Sequence, residues 1–168
     1  MADWLRMISN LTTRPATVGD VPLILEFIRG IAIYEKLEHQ FVATEELLQT
    51  ELFGERPVAE VLLVFADDAP AAYAVFFHNY STFLGRRGLY LEDIFVKPEF
   101  RRRGIGRMLL KHLAKLAVER CCGRFEWTVL DWNTPAIKFY EELGAEVLPE
   151  WRICRLTGDA LNRLGESG

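Results

Sequence analysis

The chain has only three cysteines and three histidines among its 168 residues, and neither set is spaced for a staple or a metal. Cys121 and Cys122 are adjacent and Cys154 stands alone, which is neither a disulfide framework nor a zinc spacing. Reduced thiols of a cytoplasmic protein are the expectation. His39, His78 and His112 are dispersed and suggest no metal. No apolar run approaches the ~20 residues of a membrane span, and MADWLRMISN at the start lacks the basic-then-apolar pattern of an export signal. Basic charge is short as well. Twenty Lys and Arg face 24 Asp and Glu, a net charge of −4, which sets aside a general nucleic-acid binder. A mildly acidic surface does tolerate a cationic small molecule. Repeats and low-complexity linkers are absent, so the length predicts one domain over residues 1–168, with residues 1–12 as an N-terminal extension.

What is present is an alternation of helices and strands around a central hairpin. A short first strand ends at Arg14-Pro15-Ala16-Thr17. Asp20 opens a helix with Pro22 in its first turn and Val21, Ile24, Phe27, Ile28, Ile31 and Leu37 on one face. Thr44 opens a second, acidic-started helix that Gly54 closes. Strands are expected over Val58 to Ala66 and Ala72 to Phe77, joined through Asp67-Asp68-Ala69-Pro70. A polar loop from Asn79 to Gly88 precedes a strand over Leu89 to Val96. A helix from Gly104 to Arg120 carries Ile105, Met108, Leu109, Leu113 and Leu116 at helical spacing. A strand over Arg124 to Leu130 follows, then a helix over Thr134 to Leu143 capped by Asn133. Two terminal strands, Ala145 to Leu148 and Trp151 to Leu156, precede a short tail helix. The pattern predicts a mixed α/β sheet covered by helices on both faces.

The chemistry concentrates in Leu89 to Leu113, where a strand with two carboxylates meets a basic glycine loop and a helix start. The first N–H groups of a helix lack intrahelical partners and sit at the positive end of its dipole, so such a loop suits a phosphate. Arg101, Arg102 and Arg103 would oppose that dipole unless an anion binds there. A P-loop needs Lys-Ser/Thr after the second glycine, but Arg107-Met108 follows Gly106. A dinucleotide fingerprint needs a third glycine where Leu109 stands. Strand alternation predicts Tyr90, Glu92 and Ile94 on one face and Leu91, Asp93 and Phe95 on the other. A carboxylate within an apolar strand requires a partner or a chemical role. For Glu92 and Asp93 both a buried ion pair and proton transfer stay open on the residues alone.

The run LEDIFVKPEFRRRGIGRMLL resembles the acetyl-coenzyme A signature of the GNAT acetyltransferases, through Arg101, Gly104 and Gly106. RPAT, YLEDIFV, RRRGIGRMLLKHL and LDWNTPAIKFYEELGA together resemble the spermidine/spermine and thialysine N-acetyltransferases, from Thr13 to Leu161. The resemblance implies the GNAT fold, acetyl-CoA as cosubstrate without a metal, and a homodimer whose C-terminal strands meet the partner. It implies that Glu92 takes the amine's proton and Tyr140 donates one to the leaving thiolate. It also implies cofactor binding by the backbone of Ile94, Phe95 and Val96, by Arg101, Arg102, Arg103, Gly104, Ile105, Gly106 and Arg107, and by Asn133. Tyr34, Glu35 and Glu126 are expected on the amine.

In the polyamine enzymes an Asp follows the tyrosine that corresponds to Tyr80, whereas Ser81 stands there in this chain. LDWN at Leu130 to Asn133 instead looks closer to the thialysine relatives. The expected activity is direct acetyl transfer to a primary amine of a small polyamine-like or lysine-like molecule. Acetylation of a protein amine and non-catalytic sensing of acetyl-CoA are the alternatives.

Overall fold

A computed structural model describes residues 10–166. In chain order the elements are β1 (Leu11–Pro15), α1 (Val21–Glu35), α2 (Glu45–Phe53), β2 (Glu60–Ala66), β3 (Ala69–Ser81), β4 (Arg86–Val96), α3 (Ile105–Glu119), β5 (Phe125–Trp127), α4 (Thr134–Glu141) and α5 (Gly158–Glu166). Residues 1–9 of the expected extension lie outside the described residues, and Leu11 and Thr12 already belong to β1. The chain divides into two compact units, residues 1–128 and 129–168.

The first unit holds a mixed sheet in the order β1-β2-β3-β4-β5, antiparallel except between β4 and β5. Register sorts its side chains onto two faces. Val61, Leu63, Tyr73, Val75 and Phe95 pack with Ile24 and Phe27 of α1 and Leu52 of α2. Leu62, Val64, Ala72, Ala74, Phe76, Leu89 and Leu91 point the other way. That second face carries α3, whose Ile105, Leu109 and Leu113 are buried and whose following residue Arg120 lies 5.9 Å over the Phe76 ring. Burying a Leu or Phe fully contributes about 1.5–3 kcal/mol each, so both helix layers are held chiefly by apolar area.

Local chemistry sets the ends. The Asp20 carboxylate accepts two 2.7 Å bonds from the Arg14 guanidinium and one of 2.7 Å from the Thr17 N–H, instead of capping α1 directly. Arg14 therefore holds that carboxyl well below the usual carboxylate range. Lys36, left-handed at φ 61°, ends α1, so Leu37 lies beyond the helix rather than on its inner stripe. Thr44 Oγ1 caps α2 by accepting from the Leu47 N–H at 3.2 Å. Asp67 and Asp68, both at positive φ, make a tight turn that leaves Ala69 and Pro70 inside β3.

Two expected spans are corrected in this unit. The polar stretch from Asn79 to Gly88 is mostly paired strand, because Ser81 Oγ accepts from the Leu84 N–H at 3.3 Å and closes the turn. The strand expected over Arg124 to Leu130 is the three-residue β5.

In the second unit Asn133 Oδ1 caps α4 by accepting from the Ala136 N–H at 3.4 Å. The terminal strands expected over residues 145–148 and 151–156 do not form among the described residues. A strand exists only through its ladder, and none of the described strands pairs with this segment. Its apolar side chains stay exposed, Trp151 at 73% and Ile153 at 66%. No helix among the described residues is long and apolar enough to cross a membrane.

Candidate active site

Strand β4 breaks its own alternation where the carboxylates lie. Asp93 pairs with Val75 but Leu91 pairs with the next residue, Phe76, which leaves Glu92 as one extra residue in β4. Such a bulge re-aims side chains. Glu92 and Asp93 therefore both end on the α1 side, which corrects the expectation that they share no face. Glu92 is exposed and borders an open cleft of about 340 Å³ with Val58, Ala59, Val75 and Phe77. Beyond it the Phe77 and Tyr90 rings lie 5.1 Å apart.

Asp93 is the more buried of the two carboxylates. It accepts from the Tyr73 hydroxyl at 2.9 Å. Burial raises its pKa, the Tyr73 bond opposes that, and the neighbouring charge of Glu92 raises it further. Glu35, at the end of α1, is raised by its own burial and then by Asp93. Burial and the same carboxylates push the Tyr73 phenol well above its usual range. One face thus gathers Glu35, Glu92 and Asp93, a field that favours a cation.

Past the C-terminal end of β4 the chain turns into α3. Gly104, at φ 78°, precedes α3, which has no side-chain cap and no acidic residue in its first turn. Helix geometry leaves the N–H groups of Ile105 and Gly106 in the first turn without intrahelical acceptors. A Cβ on Gly104 would meet nothing within 4 Å, so its role is conformational. Arg102, at φ 60°, and Arg103, 5.7 Å over the Phe100 ring, are exposed beside this turn. These donors and charges fit a pyrophosphate group. Arg101, also exposed, folds back onto β4 and α1 instead. Its Nε donates to the Val96 carbonyl at 2.9 Å, and its guanidinium lies 4.9 Å from the Tyr34 ring and 5.5 Å from the Phe95 ring. β5 pairs with β4 only at Leu89, Tyr90 and Leu91, so β4 over Ile94 to Val96 has one edge without a ladder partner among the described residues.

The chain that carries this strand edge, glycine turn and uncapped helix start matches the acetyltransferase (GNAT) family over residues 30–145. The chain belongs to that family. It is an acetyl-CoA-dependent N-acetyltransferase. The L-ornithine N5-acetyltransferase of Arabidopsis thaliana is 38% identical, over 95% of this chain and 89% of that protein. The thialysine N-epsilon-acetyltransferase of Sus scrofa is 39% identical, over 94% and 98%. Among solved structures, an integron cassette protein from the mobile metagenome of V. cholerae superposes with a TM-score of 0.78 at 27% identity, covering 94% of this chain and 98% of that one.

In this acetyltransferase the remaining expected site residues are placed unevenly. Tyr140 is half-buried on α4 with its ring 5.5 Å from that of Phe139, and Asn133 is buried at the cap of the same helix. Both belong to the second unit. Tyr34 faces Arg101 rather than standing alone. Glu126 is no bare anion, since Arg124 Nε lies 3.0 Å from it and Asn79 Nδ2 donates to it at 2.6 Å. Ser81 is buried and engaged in its turn. Sequence reading missed Tyr73, Asn79 and Arg124. Two adjacent carboxylates in an apolar strand were a signal for the bulge, because alternation would have sent one of them into the α3 core.

Proposed function

We propose that the protein transfers an acetyl group from acetyl-CoA to a primary amine of a small lysine-like or polyamine-like molecule. The observation that carries this reading is the gathering of Glu35, Glu92 and Asp93 on one face beside the Phe77 cleft, where burial and mutual charge raise two of the carboxylates. A cationic amine relieves that repulsion. The named relatives act on ornithine and on thialysine, both diamino acids.

When bound, acetyl-CoA supplies the activated acetyl group. Arg102, Arg103 and the backbone of Gly104, Ile105, Gly106 and Arg107 would hold its pyrophosphate, and the open edge at Ile94 to Val96 its pantetheine arm. An alkylammonium with a pKa near ~10.4 is almost wholly charged at neutral pH and must lose a proton before it attacks. Glu92 takes that proton, directly or through water. Asp93, held by Tyr73, keeps the local field negative and aids the approach of the cation. Tyr140 donates a proton to the departing thiolate, and Asn133 contacts the cofactor while capping α4. Transfer is direct. Cys121 and Cys122 sit just past the end of α3 and take no part.

We also propose a homodimer in which the C-terminal segment pairs with a second copy, on the support of its exposed Trp151 and Ile153. Exposed Cys121 and Cys154 fit a reducing cytoplasm. Sedimentation should give twice the chain mass; a monomer at micromolar concentration contradicts the dimer. For the activity, the test is thiol release from acetyl-CoA over spermidine, diamines, lysine, thialysine and a peptide amine. Release with a small amine supports the reading. Release with the peptide alone favours a protein substrate, and no release favours a sensor.

A further inference from the structure

Arg124, the residue just before β5, and Glu126 within it lie two residues apart, and their side chains meet. Glu126 pairs with Tyr90, whose ring meets Phe77 of the cleft, so the pair shares the α1-side face with Glu92. Arg124 Nε is 3.0 Å from Glu126 Oε2, and both side chains are 38% exposed. Asn79 Nδ2 donates to Glu126 Oε1 at 2.6 Å, while Asn79 Oδ1 is buried with no partner among the described residues. Gly88 makes the room. A Cβ there would lie 2.3 Å from Asn79 Oδ1 and 3.0 Å from Arg124 Cγ.

Stability does not explain this cluster. Half-exposed ion pairs contribute little, and an unsatisfied buried acceptor is a cost. Chemistry does. A guanidinium fork bonded through Nε keeps its Nη donors for a carboxylate, and Glu126 offers an acceptor for an ammonium. Together they match the two charges of an amino-acid head group. Glu126 stands one strand across and two residues along from Glu92, about 8 Å at the Cα atoms from sheet geometry. An ornithine- or lysine-type side chain spans that interval, with its terminal amine at Glu92 and its α-carbon at Arg124 and Glu126. A diamine of the same length keeps the ammonium for Glu126 but lacks the carboxylate, so it leaves Arg124 without an anion to bind and uncompensated beside a cation.

We infer that Arg124 and Glu126 read the α-ammonium and α-carboxylate of the acceptor, so that the enzyme prefers diamino acids to the diamines of the same length. This rests on the acetylation of small amines proposed above. The test compares kcat/KM for ornithine with 1,4-diaminobutane, and for lysine with 1,5-diaminopentane, at saturating acetyl-CoA. The expected wild-type preference for the amino acid is at least about tenfold, the low end for a charge-assisted hydrogen bond. Arg124→Gln should shrink that ratio by about tenfold or more, the change falling in the KM of the amino acid. Glu126→Gln should raise KM for both members of a pair. A wild-type ratio near one, or a ratio that Arg124→Gln leaves alone, overturns the inference. Turnover of spermidine or a peptide amine but of none of these four overturns it while acetyltransfer stands; no turnover of any amine removes both.

Discussion

The two faces of the sheet are built from the same strands and behave as opposites. On the α3 side Leu62, Val64, Ala72, Ala74, Phe76, Leu89 and Leu91 meet Ile105, Leu109 and Leu113, and every one is buried and apolar. On the α1 side the core of Phe27, Tyr73 and Phe95 gives way along β4 to Asp93, Glu92, Tyr90 and then to Glu126 on β5 and Arg124 just before it. The bulge at Glu92 makes the difference. It adds a carboxylate to one face without disturbing the apolar run on the other. One face is apolar throughout, and the other adds to its apolar core groups whose burial works against the fold, as active-site groups with perturbed pKa values do.

That contrast is breakable. Leu113→Ala on the α3 face should destabilise by about 3 kcal/mol through transfer and cavity terms while leaving kcat per folded molecule unchanged, as denaturant titration beside kinetics will show. A loss of kcat without loss of stability would mean the apolar face takes part in the chemistry. Tyr140→Phe should do the reverse, lowering kcat about 10²-fold with unchanged melting temperature and cofactor affinity. Unchanged turnover removes Tyr140 from the mechanism.

The smallest effect is the pH dependence of stability. Asp93 and Glu35 have raised folded-state pKa values, so their contribution is fully present below the ordinary carboxylate range near ~4 and is lost as pH rises through the raised values. Asp20 acts oppositely, with stability present above that range and lost as pH falls. Asp93→Asn should flatten the decline in melting temperature as pH rises above the ordinary carboxylate range; an identical slope in the variant would show that Asp93 carries no such strain.

What could be read from the residues follows the same division. The α3 face was legible because Ile105, Leu109 and Leu113 recur at helical spacing and Leu89 and Leu91 at strand spacing. The caps Thr44 and Asn133 and the helix start at Gly104 were legible because each is a local hydrogen-bond or backbone problem. The α1 face was legible only in part. Glu92 and Asp93 were visible as charges in an apolar strand, but period-two alternation assigned them opposite sides, and a bulge depends on the partner strand. The contact of Arg124 with Glu126, and of Glu126 with Asn79 across β4, is likewise set by register. The missing terminal strands fail for the same reason, since Trp151 to Leu156 has strand-like composition but no ladder among the described residues.

The account turns on Glu92 as the proton acceptor on the bulged face, and the pH dependence of kcat/KM in wild type and Glu92→Gln tests it most directly. Glu92→Gln should fall by about 10²–10³-fold at neutral pH and recover only as the pH approaches the pKa of the amine itself, which shifts the profile to higher pH. A variant with the wild-type profile and rate would make Glu92 a structural consequence of the bulge.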